Sequence, residues 1–329
     1  MINKSLLLTL LYLTSLSANA DHPKEDIEKW LAKMHQAAHM INYDGSFVYG
    51  LDNEMSSMQI IHSVDSNGER ERLISLDGSG REVIRSGDTV TCILPDKKSV
   101  VVDKSRPDSE FPPTFPLEIT ELSKNYDFHF GKDGIVAGQK AVKLMIKPKD
   151  KYRYGHALWI DSKTGLLLKD HLLDDKDAIV EQFMFTQVNY PKVIKQDRLK
   201  SKSDNKKFTW YKAKDLKTKD LLSKNEASKS VGWQVTNVPA GFVPGVKRHH
   251  NMTMSAMPVE HLMYSDGLSS ISVFVEKKMK NSKNLIGGST MGAVNAYGRS
   301  IGDYQVTVVG EVPHATVKLV GDSVMHVEQ

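Results

Sequence analysis

The chain has 329 residues, with 44 Lys and Arg against 40 Asp and Glu and a single cysteine. A balance this close to neutral excludes the strong basic excess of a protein built to neutralise nucleic-acid phosphates, and one cysteine excludes an intramolecular disulfide. The length exceeds what one hydrophobic core usually serves, so two domains are expected.

The chain opens on "MINKSLLLTLLYLTSLSANA", with one early cation (Lys4), an apolar run from Leu6 to Leu16, and Ala18-Asn19-Ala20 as a cleavage site. That pattern predicts a secretory signal peptide over residues 1–20, cleaved before Asp21, and hence an exported protein. The run is too short to span a bilayer, and no later stretch is long and apolar enough to do so. Cleavage removes Lys4 and no acid, which leaves 43 cations against 40 acids.

The mature start, "DHPKEDIEKWLAKMHQAAHMI", places Ile27, Trp30, Leu31, Met34, Ala37, Ala38 and Ile41 at helical spacing, so one amphipathic helix is expected to lie on an apolar surface. A series of short alternating runs follows, from "SFVYG" to "KSVVVD" and, after a break, from "AVKLMIKP" to "AIVEQFMF". Turn signals at Asn67-Gly68, Asp77-Gly78, Gly87-Asp88 and Lys163-Thr164-Gly165 separate them, which predicts an antiparallel meander curled into a large sheet or barrel. Cys92, within "TVTCIL", reads as a small apolar strand residue. The break, "SRPDSEFPPTFPLEITELSKNYDFHF", carries four prolines together with Phe111, Phe115 and Phe128. Proline cannot join a ladder, so this segment is expected to cross the sheet as a loop with its aromatics buried or covering a cavity.

After Tyr190 the pattern dissolves: residues 191–230 hold 13 Lys or Arg and 5 acids. The composition predicts a Lys-rich linker over 201–228, between a first domain at 21–200 and a small second domain at 229–329. In the second domain "YSDGLSSISVFVE" gives a Ser265-Asp266-Gly267 turn and then a strand, with Ile271, Val273 and Val275 on one face and Ser272, Phe274 and Glu276 on the other. A final helix is expected from Pro313.

No HExxH, G-x-S-x-G, Walker A or G-x-G-x-x-G motif is present, so the chain reads as a non-enzyme with no catalytic residue and no cofactor. His249, His250, Met252, Met254, Met257, His261 and Met263 lie close in sequence and carry ligand types suited to copper. Strand alternation scatters them over two faces, so no metal site is assigned.

With these segments in place, the chain resembles the sigma-E factor regulatory protein family RseB/MucB. The resemblance rests on "MHQAAHMINYDGSFVY", "GSGREVIRSGDTVTCILPD", "WIDSKTGLLLKDHLLDDKDAIVEQFMF", "WQVTNVPAGF", "MPVEHLMYSDGLSSISVFVE" and "VVGEVP", in that order along the mature chain. It implies a mainly β fold with α (α+β): a large domain formed by an unclosed antiparallel β-barrel with lid helices, similar to the LolA/LolB carriers, and a small C-terminal α/β domain. It also implies a negative regulator of the envelope stress response, which binds the periplasmic region of the anti-sigma factor RseA and shields it from the site-1 protease DegS. Lipopolysaccharide or another acylated ligand would release that block. A soluble periplasmic lipid or lipoprotein carrier is the alternative; homo-oligomerisation is left open, and no nucleic acid or membrane span is expected.

Candidate residues for lining and covering the lipid cavity are Phe47, Tyr49, Met58, Ile60, Phe111, Phe115, Phe128, Trp159, Phe183 and Phe185. Candidates for partner binding in the second domain are Trp233, Phe242, Tyr264 and Phe274, with Tyr264 expected at the surface because it precedes a turn and its hydroxyl seeks water or a partner.

Overall fold

The computed structural model describes residues 24–51, 54–104, 111–113, 115–203, 205–212, 232–245, 248–251, 258–278 and 284–327. The signal segment lies outside them, and no helix among the described residues is long and apolar enough to cross a membrane.

The first domain begins with α1 (Lys24–Met40). Ile27, Leu31, Met34 and Ala37 are 5% exposed or less, as the helical spacing demands, and they pack on a sheet. That sheet contains β1 (Tyr43–Leu51), β2 (Glu54–Asp65), β3 (Gly68–Ser75), β4 (Glu82–Ser86), β5 (Thr89–Leu94) and β6 (Ser99–Lys104), then β7 (Tyr126–Phe130), β8 (Gly134–Val136), β9 (Gln139–Pro148), β10 (Gly155–Asp161), β11 (Leu167–Leu173) and β12 (Ile179–Asn189). The two meanders join where β1 pairs with β12, giving the order β6-β5-β4-β3-β2-β1-β12-β11-β10-β9-β7, with β8 folded onto β9. All these pairings are antiparallel and the two ends do not meet, so the barrel is unclosed. Lys33 of α1 donates to the Ser162 carbonyl in the β10–β11 turn at 2.7 Å. Gly165 of that turn has φ +88°, and a Cβ there would stand 2.7 Å from the Lys33 carbonyl oxygen. Glycine therefore permits both the turn and the close passage of the helix.

The linker prediction needs correction at its start. Arg72 and Glu82, each 4% exposed, pair at 2.9 Å on β3 and β4, and Ser201 and Ser203 donate to the other Glu82 oxygen. Ile194 and Leu199 pack on Ile61 outside the sheet. Residues Thr209–Lys212 then form β13, which pairs in parallel with β6. The chain thus stays on the first domain beyond residue 200, because buried polar and apolar anchors override the basic composition around them.

The second domain has a seven-stranded sheet from β15 (Val243–Pro244), β16 (Arg248–Asn251), β17 (Pro258–Ser265), β18 (Ser270–Lys277), β19 (Gly287–Met291), β20 (Val294–Ile301) and β21 (Tyr304–Gly310). Helix α2 (His314–Asp322) covers it, and β14 (Trp233–Val235) pairs with β22 (Val324–His326). β18 buries Ile271, Val273 and Val275 against Val306, Val308, Val317 and Val320. The alternation in the sequence thus selects the core face.

Candidate functional site

β1 turns Tyr43, Phe47 and Tyr49 to the inside of the curled sheet, and the register sets Phe47 opposite Phe185 and Met58, and Tyr49 opposite Phe183. The proline-rich segment lays Phe111 over them: its ring centroid is 4.5 Å from that of Phe47, in a stacked arrangement, and 5.1 Å from that of Phe183. Phe47 lies 5.8 Å from Phe185, completing a four-ring cluster. Ile60 is fully buried beside it, while Met58 and Phe128 pack half-buried against the same core. Phe115, 6% exposed, stands edge-on to His156 at 4.9 Å. Nine of the ten cavity candidates therefore converge on one apolar interior. Trp159 departs from them. It opposes Lys143 and Lys169 on the outer face of β10 and reaches the core only at its edge, while Leu158 and Ile160 point inward.

One end of this interior is polar. The Tyr49 hydroxyl donates to Glu181, and His156 Nδ1 lies 3.1 Å from an Asp170 oxygen. Burial pushes Glu181 above its ordinary range; the Tyr49 hydrogen bond opposes this and the Asp170 charge adds to it. Burial alone would lower His156, but Asp170, Glu311 and Glu181 outweigh it and hold the imidazole above its ordinary range. Glu311 belongs to the second domain, so this polar end borders the joint between the domains.

The joint is built on Arg153, in the turn before β10. Its guanidinium donates to Asp266 at 2.9 Å, to Asp150 at 3.1 Å and to the Ala240 carbonyl at 2.5 Å. It also lies over the rings of Tyr126 and Phe242, 5.4 and 5.2 Å from their centroids. The Tyr126 hydroxyl donates to the same Asp266 oxygen at 2.8 Å, and the other Asp266 oxygen accepts from the amides of Leu268 and Ser269. Both charged side chains are completely buried, and each nitrogen of the guanidinium and each oxygen of the carboxylate has a hydrogen-bond partner, which is the condition under which a buried pair survives desolvation. Either side of Arg153, the Tyr152 carbonyl accepts from Thr316 and the Tyr154 hydroxyl from Asn295. Gly241, at φ +86°, leaves room for Asn125 of the first domain.

Family models match along both domains: the MucB/RseB N-terminal domain over residues 26–203 and the MucB/RseB C-terminal domain over residues 227–325. The chain belongs to the MucB/RseB family. It is 32% identical over 319 residues to the sigma factor AlgU regulatory protein MucB of Pseudomonas aeruginosa, covering 96% of each chain. It is 28% identical to the sigma-E factor regulatory protein RseB of Haemophilus influenzae, covering 92% of each. Among solved structures, a chain of the Pseudomonas aeruginosa MucA/MucB complex matches with a TM-score of 0.70 and 29% identity, over 92% of this chain and 100% of that one. A structure of MucB in complex with MucA(peri) matches with a TM-score of 0.68 and 28% identity, over 92% and 99%.

Within this MucB/RseB chain the four partner-binding candidates do not gather. Trp233 and Phe242, each 4% exposed, and Tyr264, 9% exposed, belong to the core of the second domain. The expectation that Tyr264 is exposed is therefore corrected: it shares a face with Leu262 and opposes Ile271, so its ring fills the core. Phe274 alone lies on the outer face of β18, half-buried and stacked on His261 at 4.4 Å. His261 Nε2 is 3.0 Å from the Ser272 hydroxyl. Met252, Met254 and Met257 lie outside the described residues, as do the side chains of His249 and His250. The residues missed by sequence reasoning are those of the joint: Arg153 sits in a polar turn, and nothing local marks it as buried.

Proposed function

We propose that this chain is a periplasmic regulator of a sigma factor that acts by binding the periplasmic region of a membrane-spanning anti-sigma factor of the RseA or MucA kind and shielding it from site-1 proteolysis. The observation that carries this reading is the match along both family domains, together with the likeness over 92% of the chain to MucB in complex with MucA(peri). Residues 1–20 support export. The absence of a catalytic motif supports a binding role. The phenylalanine cluster supports an acylated ligand, such as lipopolysaccharide, as the releasing signal: Phe111 comes from a loop and closes over rings held by strands, so its displacement opens an apolar space. The same interior supports a second reading, a soluble carrier of lipids or lipoproteins.

A pull-down using the mature chain and the periplasmic region of the cognate anti-sigma factor tests the first reading. Binding, with slower cleavage of the anti-sigma factor by the site-1 protease and reversal by an acylated ligand, is the expected result. Transfer of acylated cargo between membranes without any capture of the anti-sigma factor would favour the carrier.

A further inference from the structure

The outer face of the first sheet carries an arrangement that neither the aromatic interior nor the joint uses. β9, β10 and β11 set Lys143, Trp159 and Lys169 in one row across three strands. The Lys143 ammonium lies 4.6 Å from the centroid of the indole ring and the Lys169 ammonium 4.4 Å from it. All three side chains are half-buried. His171, two residues along β11 from Lys169 and therefore on the same face, stands edge-on to Trp159 at 5.0 Å. Its Nε2 is buried and has no hydrogen-bond partner among the described residues. Met145, Ala157 and Leu173 form an apolar floor beside the indole.

Surface lysines ordinarily extend their ammonium groups into water or onto a carboxylate. On this same strand and just beyond it, Lys147 and Lys149 pair with Asp177 and Asp127. Lys143 and Lys169 instead share one aromatic ring. Burial and the Lys143 charge hold Lys169 below its ordinary range, and burial with the two lysines pushes His171 down to about 4 against the opposing pull of Asp170 and of a hydrogen bond with Gln182. The imidazole is thus neutral at physiological pH and able to donate one N–H beside two cations. Concentrated positive charge, an unused ring nitrogen and a flat apolar wall make a consistent set. A carboxylate would compensate one cation; a phosphate monoester, with close to two charges at neutral pH and three acceptor oxygens, would compensate both and still accept from the imidazole. The indole would then lie against the carbon skeleton of the ester.

We propose that Lys143, Trp159, Lys169 and His171 form a binding site for a phosphate monoester, on the side of the sheet opposite the phenylalanine interior. This inference is independent of the anti-sigma reading. The test titrates the full mature chain with inorganic phosphate, with glycerol 1-phosphate, and with vesicles containing phosphatidic acid, against matched chloride. It follows the His171 ring resonances and the Trp159 indole N–H by NMR. A saturable shift at both groups with phosphate or glycerol 1-phosphate, accompanied by a rise in the His171 pKa and weakened at least tenfold in a Lys143→Gln/Lys169→Gln double variant of unchanged fold, is the expected result. A response confined to the vesicles, with the same dependence on the two lysines, also upholds the site and identifies a lipid headgroup as its source. No saturable response to any of the three, or one that persists in the double variant, overturns the proposal and leaves the row as a packing feature of the sheet.

Discussion

In the first domain Phe47, Phe183 and Phe185 are held by strands, while Phe111 reaches the cluster from the proline-rich segment and belongs to no strand. In the second domain Trp233, Phe242 and Tyr264 are set among valines from β18, β21, β22 and α2, so that core is walled mainly by strands and a helix. The same residue types therefore do different things. A large sheet curled over one helix leaves a seam that a loop must close, whereas a small sheet under one helix needs its aromatics to reach a sufficient core. Between these unlike interiors sits Arg153, which touches Tyr126 on one side and Phe242 on the other.

The largest effect is expected at that junction. Arg153→Ala leaves Asp266 buried beside Tyr126 without its cation, and removing one partner of such a pair costs about 3–5 kcal/mol. Urea unfolding of the variant should show this loss together with separate transitions for the two domains in place of one. Retention of full stability and a single transition would mean that the Tyr152, Tyr154 and Asn295 contacts hold the domains together without it.

A smaller effect sharpens the contrast between the two aromatic sets. Tyr264→Ala empties a closed core and should cost about 3 kcal/mol, whereas Phe111→Ala removes a half-buried loop ring and should cost about 1–2 kcal/mol. Only Phe111→Ala should change the affinity for a fluorescent acyl probe. Equal losses of stability with no change in probe binding would remove the distinction between a core that opens and one that does not.

These pairs also show what the sequence made legible. Phe47 and Tyr49 share a parity in β1 and are legible as large aromatics, but Val48 between them is apolar too, so alternation alone does not choose their face. "HALWID" has apolar residues at both parities, Ala157 and Trp159 against Leu158 and Ile160, because both faces of β10 are covered; nothing in the segment says which face is the interior. For Tyr264 the signal lies in its shared parity with Leu262, and burial of the ring in the core outweighs hydration of its hydroxyl. The Asp266 turn was legible as a turn, and its own carboxylate does bond the Leu268 and Ser269 amides. Its second role, holding an arginine from a distant turn, depends on how two domains meet and leaves no local trace.

At the polar end of the first interior the effect is one of pH. Glu181 has a raised pKa, so between its unfolded value and its folded value the native state holds more protons than the unfolded chain, and stability falls as pH rises through that window. His156, also raised, gives the same sign: its contribution is complete below its unfolded pKa and is lost as pH climbs through the folded one. Asp170 and Glu311 face the pair from β11 and from the second domain. Glu181→Gln, which keeps an acceptor for the Tyr49 hydroxyl, should flatten the decline in thermal stability as pH rises above the ordinary carboxylate range. An unchanged profile would assign the pH dependence to His156 and Glu311, whose pKa burial also raises.

The smallest effect on stability is expected at Phe274, and it bears on which face of the second domain meets the partner. Of the four aromatics considered for partner binding, Phe274 is the one on the outer face of β18, where it stacks on His261 beside Ser272. Its contribution to folding is a half-buried aromatic pair, worth about 0.5–1.5 kcal/mol. Its contribution to an interface would be larger, since an aromatic side chain enclosed at the centre of a contact commonly accounts for about 2 kcal/mol or more of binding. Phe274→Ala should therefore cost only about 1 kcal/mol in urea unfolding and weaken capture of the anti-sigma periplasmic region roughly 30-fold. Trp233→Ala and Tyr264→Ala should do the reverse, lowering stability first and capture only through unfolding. If Phe274→Ala captures as well as the parent chain, the outer face of β18 is not the contact, and the partner must be held by the first domain or by residues along the joint.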